Sequence, residues 1–93
     1  MIRAFVLYEG EIDPERYQQH IDEFVRPISA TFRHGKVFAA APGMEQRFHH
    51  YAEFEFPDMD TFQQIAGSEE MAAAGRDAAT MGVPFTVHFA DVE

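Results

Sequence analysis

The alternation of residue types over residues 47–56 is the feature that most constrains the fold of this chain. Successive side chains of a β-strand point to opposite faces of its sheet, so a period of two sorts these residues into two rows. The first row is mostly apolar and consists of Phe48, His50, Ala52, Phe54 and Phe56. The second row is polar and consists of Arg47, His49, Tyr51, Glu53 and Glu55. The segment therefore predicts a strand with one buried face and one polar face, which either meets water or lines a cavity.

The first third of the chain predicts a strand followed by a helix. Residues 2–8 form a run of β-branched and aromatic residues that is typical of a central strand. Asp13 and Pro14 then supply an N-cap and a first helical residue. Because proline disfavours the helix interior, we expect the helix to bend or end near residues 24–26, before Pro27. The residues at helical spacing, expected to be buried, are Tyr17, Ile21, Phe24, Val25, Ile28 and Phe32.

A hairpin is predicted next. Residues 33–41 form a second extended segment, in which Gly35 suggests a β-bulge. The turn at residues 41–43 leads from this segment into the alternating strand.

The last part of the chain predicts a helical region and a fourth strand. Asp60 and Gln63 resemble a capping box at a helix start, and Ser68 is placed to cap a short helix over residues 69–74. Residues 83–89 alternate in polarity again and predict the last strand. Pro84 near its start indicates an edge strand or a strand start.

The order β-α-β-β-α-β predicts an α+β, ferredoxin-like domain that spans residues 1–93, with an antiparallel sheet and both helices on one face. No helix remains to cover the opposite face. Ten phenylalanines in 93 residues make a water-exposed aromatic face unfavourable. We therefore expect a homodimer in which two sheets face each other and enclose an interior.

Composition excludes several classes of function. Seven basic and sixteen acidic residues give a formal charge of −9, which disfavours nucleic acid and anionic membrane surfaces as partners. The absence of cysteine excludes disulfides and thiolate chemistry. The opening residues are too short and too interrupted an apolar run for a signal segment, so we expect a soluble, cytoplasmic protein.

Five histidines are available for acid-base chemistry, because a neutral imidazole can both give and take a proton near pH 7. His49, Tyr51 and Glu53 share the polar row, and His88 lies opposite the apolar parity of its own strand. We take these four as the candidate catalytic residues, and leave open whether His49 or His50 faces the interior. The candidate substrate-binding residues are Tyr8, at the end of the first strand, and Arg3, Arg33 and Arg47.

A metal site and a nucleotide site are both disfavoured. His49, Glu53 and His88 could supply the two histidines and one carboxylate that bind non-haem iron, but no compact ligand-spacing motif is present. No glycine-rich phosphate loop occurs either. We therefore expect neither a metal nor another cofactor.

The chain resembles the EthD-like branch of the dimeric α+β barrel superfamily. The resemblance is carried by residues 2–8, 23–28, 51–56 and 62–74, the last with its Ser68-Glu69-Glu70 interruption. It implies a homodimer that holds a small apolar or mildly anionic molecule in one pocket per subunit. EthD-like proteins typically carry a histidine two residues before the helix proline, and here that position is Val25. The acid-base role of that histidine therefore does not carry over to this chain.

Three functions are compatible with the resemblance, whose relatives include muconolactone and methylmuconolactone isomerases and cofactor-independent antibiotic-biosynthesis monooxygenases. The first is acid-base isomerisation of a small unsaturated carbonyl compound such as an aromatic ring-cleavage product, with an imidazole as base and a tyrosine or arginine stabilising the enolate. The second is a cofactor-independent monooxygenase or auxiliary oxidoreductase. The third is a non-enzymatic binder of an apolar ligand, which the loss of the family histidine favours more than it favours the first.

Overall fold

The computed structural model describes all of residues 1–93. Its strands are β1 (Ile2–Tyr8), β2 (Thr31–Lys36), β3 (His50–Phe56) and β4 (Phe85–Asp91). Its α-helices are α1 (Pro14–His20), which continues as a π-helical turn over Ile21–Val25, α2 (Met59–Ala66) and α3 (Glu69–Ala79). None of these helices has the length and apolar character needed to cross a membrane.

The four strands form one antiparallel sheet in the order β2-β3-β1-β4. The α+β, ferredoxin-like arrangement predicted from the sequence is therefore confirmed, with β1 in a central position. Pro84 immediately precedes β4, which is an edge strand, as the missing proline N–H suggests.

The two sheet faces separate as the period of two predicts. The face under the helices carries the buried residues Ile2, Ala4 and Tyr8 of β1 and Phe54 and Phe56 of β3. The neighbouring positions Tyr51, Glu53 and Glu55 point to the opposite face, called the open face below, which no helix covers. The sheet therefore has an apolar, helix-covered side and a polar side.

The first helix begins and ends where the sequence signals place its limits. The Asp13 carboxylate accepts a hydrogen bond from the Arg16 N–H at 3.1 Å, as an N-cap does. After His20 the helix widens, and the Arg26 N–H donates to the Ile21 carbonyl five residues earlier at 2.9 Å. The helical segment stops before Pro27, as predicted.

Two helix predictions in the second half of the chain need correction. α2 is capped by Asp58, not by Asp60, because the Asp58 carboxylate accepts the Thr61 N–H at 2.7 Å and the helix starts at Met59. Ser68 caps the next helix as predicted, with its hydroxyl accepting the Met71 N–H at 3.2 Å. That helix, however, continues to Ala79, five residues beyond the predicted end.

The predicted second strand is also partly wrong. Strand β2 starts earlier, at Thr31, so Phe32 belongs to the sheet and not to the helical stripe. Pairing with β3 stops at Lys36, and residues 37–49 form a long connection that contains the predicted turn, with Gly43 at φ +84°. Gly35 pairs in register with Tyr51 and makes no bulge. Its missing side chain instead makes room for the Tyr51 ring, which a Cβ there would approach to 2.9 Å.

His50 joins the helix side of the sheet to the segment that precedes α1. It is buried, and its Nε2 atom accepts a hydrogen bond from the Ile12 N–H at 3.1 Å. Burial, followed by the positive charge of Lys36, lowers the pKa of His50 below its usual value. The folded protein therefore favours the neutral form of His50, whose Nε2 atom can accept the hydrogen bond.

We expect His50 to make stability pH-dependent. Its folded pKa lies below the unfolded value of about 6.5, so as the pH falls through that value the unfolded chain binds more protons and stability decreases. His50→Ala should remove this slope and cost about 1–3 kcal/mol at pH 8, because the Ile12 N–H loses its acceptor. In His50→Gln, an amide oxygen replaces that acceptor and much of the stability should return. Urea unfolding at pH 8 and at pH values below about 6.5 measures both effects. If the dependence of stability on pH is unchanged in both variants, His50 is not its source.

Candidate functional site

On the open face, the predicted arginine and glutamate residues neutralise one another. Arg3 donates from Nη2 to Glu55 Oε1 at 2.7 Å, and Arg33 donates from Nη1 to the same oxygen at 3.0 Å. Glu53 lies 3.9 Å from both guanidinium groups. Hydrogen bonding to Arg33 is the largest influence that lowers the pKa of Glu55. These charges therefore form an ion-pair network across three strands, with no arginine left over for an anionic ligand.

The four candidate catalytic residues do not form one cluster. Glu53 and His88 both pair with Phe5 in the sheet register and lie on either side of it. Tyr51 packs against Gly35 on β2, and His49 precedes β3. Arg47, a candidate substrate-binding residue, pairs with Glu9 outside the strand. No three histidine, aspartate or glutamate side chains are placed to hold a metal ion together.

A cavity of about 340 Å³ lies instead on the other side of the sheet, beneath the helices. Fifteen of the seventeen residues that line it are hydrophobic, and its volume falls in the range of small-molecule sites. The sheet contributes Ala4, Val6 and Ala52 to its floor. Because protein interiors are otherwise close-packed, an apolar space of this size is a candidate ligand site.

Small residues on the helices explain why this space exists. α3 presents Ala74, Gly75 and Ala78 to the cavity, and α2 presents Ala66. The alanines favour a helix, whereas Gly75 does not, and all four residues fill little volume between helix and sheet. The alanine-rich stretch after Ser68 thus builds a helix whose inner side leaves room for a ligand.

His20 supplies an oriented imidazole to this cavity. The residue is 3% exposed, and its Nδ1 atom lies 2.8 Å from Oδ2 of Asp77. Asp77 also accepts two hydrogen bonds from Arg16, from Nη1 at 3.1 Å and from Nη2 at 2.8 Å. The three side chains therefore form a linked Arg16–Asp77–His20 triad between α1 and α3.

The triad fixes which nitrogen of His20 can act as a base. Burial of Asp77 opposes its charge, but the hydrogen bonds from Arg16 and His20 outweigh this and hold the pKa of the carboxyl below its usual value. An ionised carboxylate can only accept, so in the neutral imidazole Nδ1 carries the proton and Nε2 keeps its lone pair. Nε2 has no hydrogen-bond partner in the protein, and the side chain lines the cavity. His20 is therefore arranged to accept a proton from a bound molecule.

Tyr8 provides the second polar group of the cavity. The residue is 2% exposed at the end of β1 and lines the cavity, and its hydroxyl is without a hydrogen-bond partner in the protein. Burial, followed by the negative charge of Asp77, raises the pKa of Tyr8 to about 12. The phenol is therefore neutral near pH 7 and can donate a hydrogen bond to a ligand. Of the residues predicted from the sequence to bind substrate, Tyr8 is the one that reaches this cavity.

Val25 shows how this site relates to the histidine of EthD-like proteins. Val25 lines the same cavity as His20 and stands five residues after it, at the end of the π-helical turn. Hydrogen bonds from residue i to residue i+5 define that turn, and such turns are frequent at functional sites. The position that holds a histidine in those proteins is therefore apolar here, while His20 brings an imidazole into the cavity from one turn earlier.

The sequence analysis did not identify His20 and Asp77 as site residues, although each occupies an unusual position in its helix. His20 falls within the buried stripe of the first helix, between Tyr17 and Phe24, where a histidine is out of place. Asp77 lies in the last turns of α3, where the helix dipole disfavours an acid. The two residues are 57 positions apart in the sequence, so neither unusual position predicts that they pair.

Comparisons with known proteins bear on the fold. No protein-family model matches the sequence, and no curated protein matches it significantly. An EthD family protein from Bacillus halodurans C-125 is structurally similar, with a TM-score of 0.79 and 22% identity over 100% of this chain and 99% of the other. A dimeric ferredoxin-like protein of unknown function from Thermobifida fusca YX has a TM-score of 0.73 and 16% identity, covering 98% of this chain and 90% of its own.

An enzyme shares the same architecture. The hydroxynitrile lyase from Passiflora edulis superposes with a TM-score of 0.68 and 15% identity, over 99% of this chain and 94% of its own. At these identities the similarities show the fold, which is the ferredoxin-like fold of EthD and related dimeric proteins. The predicted resemblance to EthD-like proteins is thus supported at the level of the fold.

The tautomer of His20 provides a direct test of the triad. In the wild-type protein we expect the Nδ1–H form of the neutral ring, because Asp77 accepts from Nδ1. Asp77→Asn should give a mixture of both tautomers, since an amide can accept or donate. Long-range ¹H–¹⁵N correlation spectra distinguish the two forms. Asp22→Asn removes an exposed acid from the adjoining helical turn and should change nothing. A wild-type Nε2–H ring would contradict the assignment.

Proposed function

We propose that this protein is an enzyme that moves a proton on a small unsaturated carbonyl compound held in the cavity beneath the helices. The observation that carries the proposal is His20, whose Nδ1 is held by Asp77 at 2.8 Å while its Nε2 has no hydrogen-bond partner and its side chain lines an apolar cavity. A binding protein would need only the apolar walls. A buried imidazole oriented by a carboxylate adds what general-base catalysis requires.

The reaction needs no group beyond these side chains. Nε2 of His20 takes a proton from a carbon conjugated to the carbonyl, and Asp77 stabilises the imidazolium that forms. Tyr8 donates a hydrogen bond to the carbonyl oxygen, where negative charge develops in the enolate. The imidazolium then returns the proton to a different carbon, so the double bond moves and the composition of the substrate is unchanged. The apolar walls exclude water and strengthen both electrostatic contacts.

The assignment changes which histidine acts as the base. The sequence favoured His49 and His88, and the structure puts His88 on the open face next to Phe5. We expect His20→Asn to lower kcat by roughly a hundredfold to ten-thousandfold, as loss of a general base does, and Tyr8→Phe to lower it by a smaller factor. His88→Ala removes the competing base and should retain near wild-type kcat.

The assay screens unsaturated lactones, enones and dienoic acids for isomerisation, and for exchange of carbon-bound protons in deuterated water. Each variant is first matched to the wild type in melting temperature and molecular mass. Loss of activity in His88→Ala with retention in His20→Asn would return the base to the open face. Binding in the cavity without turnover of any of these compounds would make the protein a ligand binder, which is the third function considered from the sequence.

We also propose that the protein forms a homodimer through the open face. This face has no helix over it, yet Arg3 Nε and Thr86 Oγ1 are buried there without hydrogen-bond partners. Phe5 and Leu7 of the central strand lie on the same face, and Leu7 pairs directly with Thr86. Apolar and unpaired polar groups on one face are typical of a surface that another molecule completes. Similar structures from Thermobifida fusca, Jannaschia and Bacteroides fragilis are described as dimeric.

Leu7→Glu should convert the dimer to a monomer, because it puts a charge at the centre of the proposed interface. Light scattering at micromolar concentration should give twice 10.6 kDa for the wild type and 10.6 kDa for the variant. Ala72→Glu adds the same charge at an exposed position of α3 and should remain dimeric. A wild-type mass of 10.6 kDa would contradict the proposed dimer and would leave the proposal for the cavity unaffected.

A further inference from the structure

Polar groups in the cavity are confined to one end. Tyr8 and His20 are the only lining residues that carry a side-chain O–H or ring nitrogen, and both are almost fully buried. Phe89 and Val87 of the edge strand β4 are the most exposed of the large lining residues, with 62% and 44% of their surfaces accessible. Burial thus increases from an apolar opening at β4 towards a polar inner end.

The rim of this opening is aromatic. Phe62 of α2 and Phe89 of β4 meet edge to face, with ring centroids 5.0 Å apart, and both line the cavity. A ligand that reaches His20 from this side must leave its remaining atoms against these rings and against the small residues of α3. The part of the ligand nearest the opening is therefore apolar.

The inner end offers no lysine or arginine to a negatively charged ligand. No lysine or arginine lines the cavity. Arg16 is bound through both its terminal nitrogens to Asp77, whose own charge disfavours an anion close by. The arginines considered from the sequence pair with glutamates elsewhere, Arg3 and Arg33 on the open face and Arg47 with Glu9. A carboxylate would lose its hydration here without gaining a counter-ion.

We propose that the cavity selects a neutral, largely apolar carbonyl compound, bound with its carbonyl oxygen at Tyr8 and its apolar part towards Phe62 and Phe89. The choice of a carbonyl head rests on the proposed function, whereas the exclusion of anions rests on the charges alone. Of the small apolar or mildly anionic ligands expected from the family resemblance, the cavity thus takes the neutral ones.

Three compounds of nearly equal shape test this selection in the wild-type protein. 4-Phenyl-2-butanone is the neutral ketone, 3-phenylpropanamide is a neutral amide, and 3-phenylpropanoate replaces the ketone methyl by a charged oxygen. Titrations are followed at pH 7.5 by the methyl NMR signals of Met71, Ala74 and Ala78, which line the cavity, and of Leu7 and Thr86 on the open face. We expect the ketone and the amide to bind roughly a hundredfold more tightly than the carboxylate, with shifts at the cavity methyls.

Two variants locate the ligand. Tyr8→Phe removes the proposed hydrogen bond and should weaken ketone binding by roughly three- to tenfold. Ala74→Leu fills the cavity from α3 and should abolish binding of both neutral compounds. The comparison of the three compounds in the wild type decides the question even if a variant fails to fold.

The outcomes separate this proposal from the proposed function. Equal or tighter binding of the carboxylate overturns the selection of neutral ligands and leaves proton transfer by His20 intact. Shifts at Leu7 and Thr86 instead of the cavity methyls, or no binding of any of the three at millimolar concentration, also overturn it. Selective ketone binding in the absence of any isomerase or exchange activity supports the selection while the enzymatic proposal fails.

Discussion

The Arg16–Asp77–His20 triad is the interaction on which the candidate site depends. It links α1 to the end of α3 above the same sheet face, and so holds the two helices together over the cavity. Asp77 and His20 are largely buried and Arg16 is partly exposed, so replacing one member leaves the others without their partner in a partly desolvated place. The same hydrogen bonds that stabilise the helix packing also orient His20 and set its tautomer, so structure and chemistry rest on one group of atoms.

The two faces of the sheet differ in polarity and in the role proposed for each. On the open face, arginines and glutamates pair with each other across strands, which leaves a neutral, patterned surface suited to a second sheet. On the helix face, the same four strands present apolar residues together with Tyr8 and His50. Because side chains alternate strictly, neighbouring residues of β3 such as Glu53 and Phe54 belong to environments of opposite character. The arginine and glutamate charges of the sheet are thereby kept away from the cavity.

Short-range patterns in the sequence predicted much of the fold. Alternation identified β3 and its two faces, Asp13 and Ser68 identified helix starts, and Pro27 identified the end of the first helix. Failures occurred where a longer-range contact overrode a local signal. Gly35 suggested a bulge, but it pairs in register and makes room for the Tyr51 ring. The helix after Ser68 continues through Gly75 to Ala79, because tertiary packing overrides the low helix propensity of glycine.

For the site, the sequence by itself determined which types of residue are available. It supplies histidines and tyrosines, no cysteine, and a large excess of acidic over basic residues. It also determined that the polar row of β3 lies opposite the apolar one, because that depends on neighbouring residues alone. Only the tertiary structure decided that His20, and not a histidine of the strands, meets both a carboxylate and a cavity. That decision depends on Asp77, which is 57 positions away and reaches His20 only when α1 and α3 pack on the same sheet.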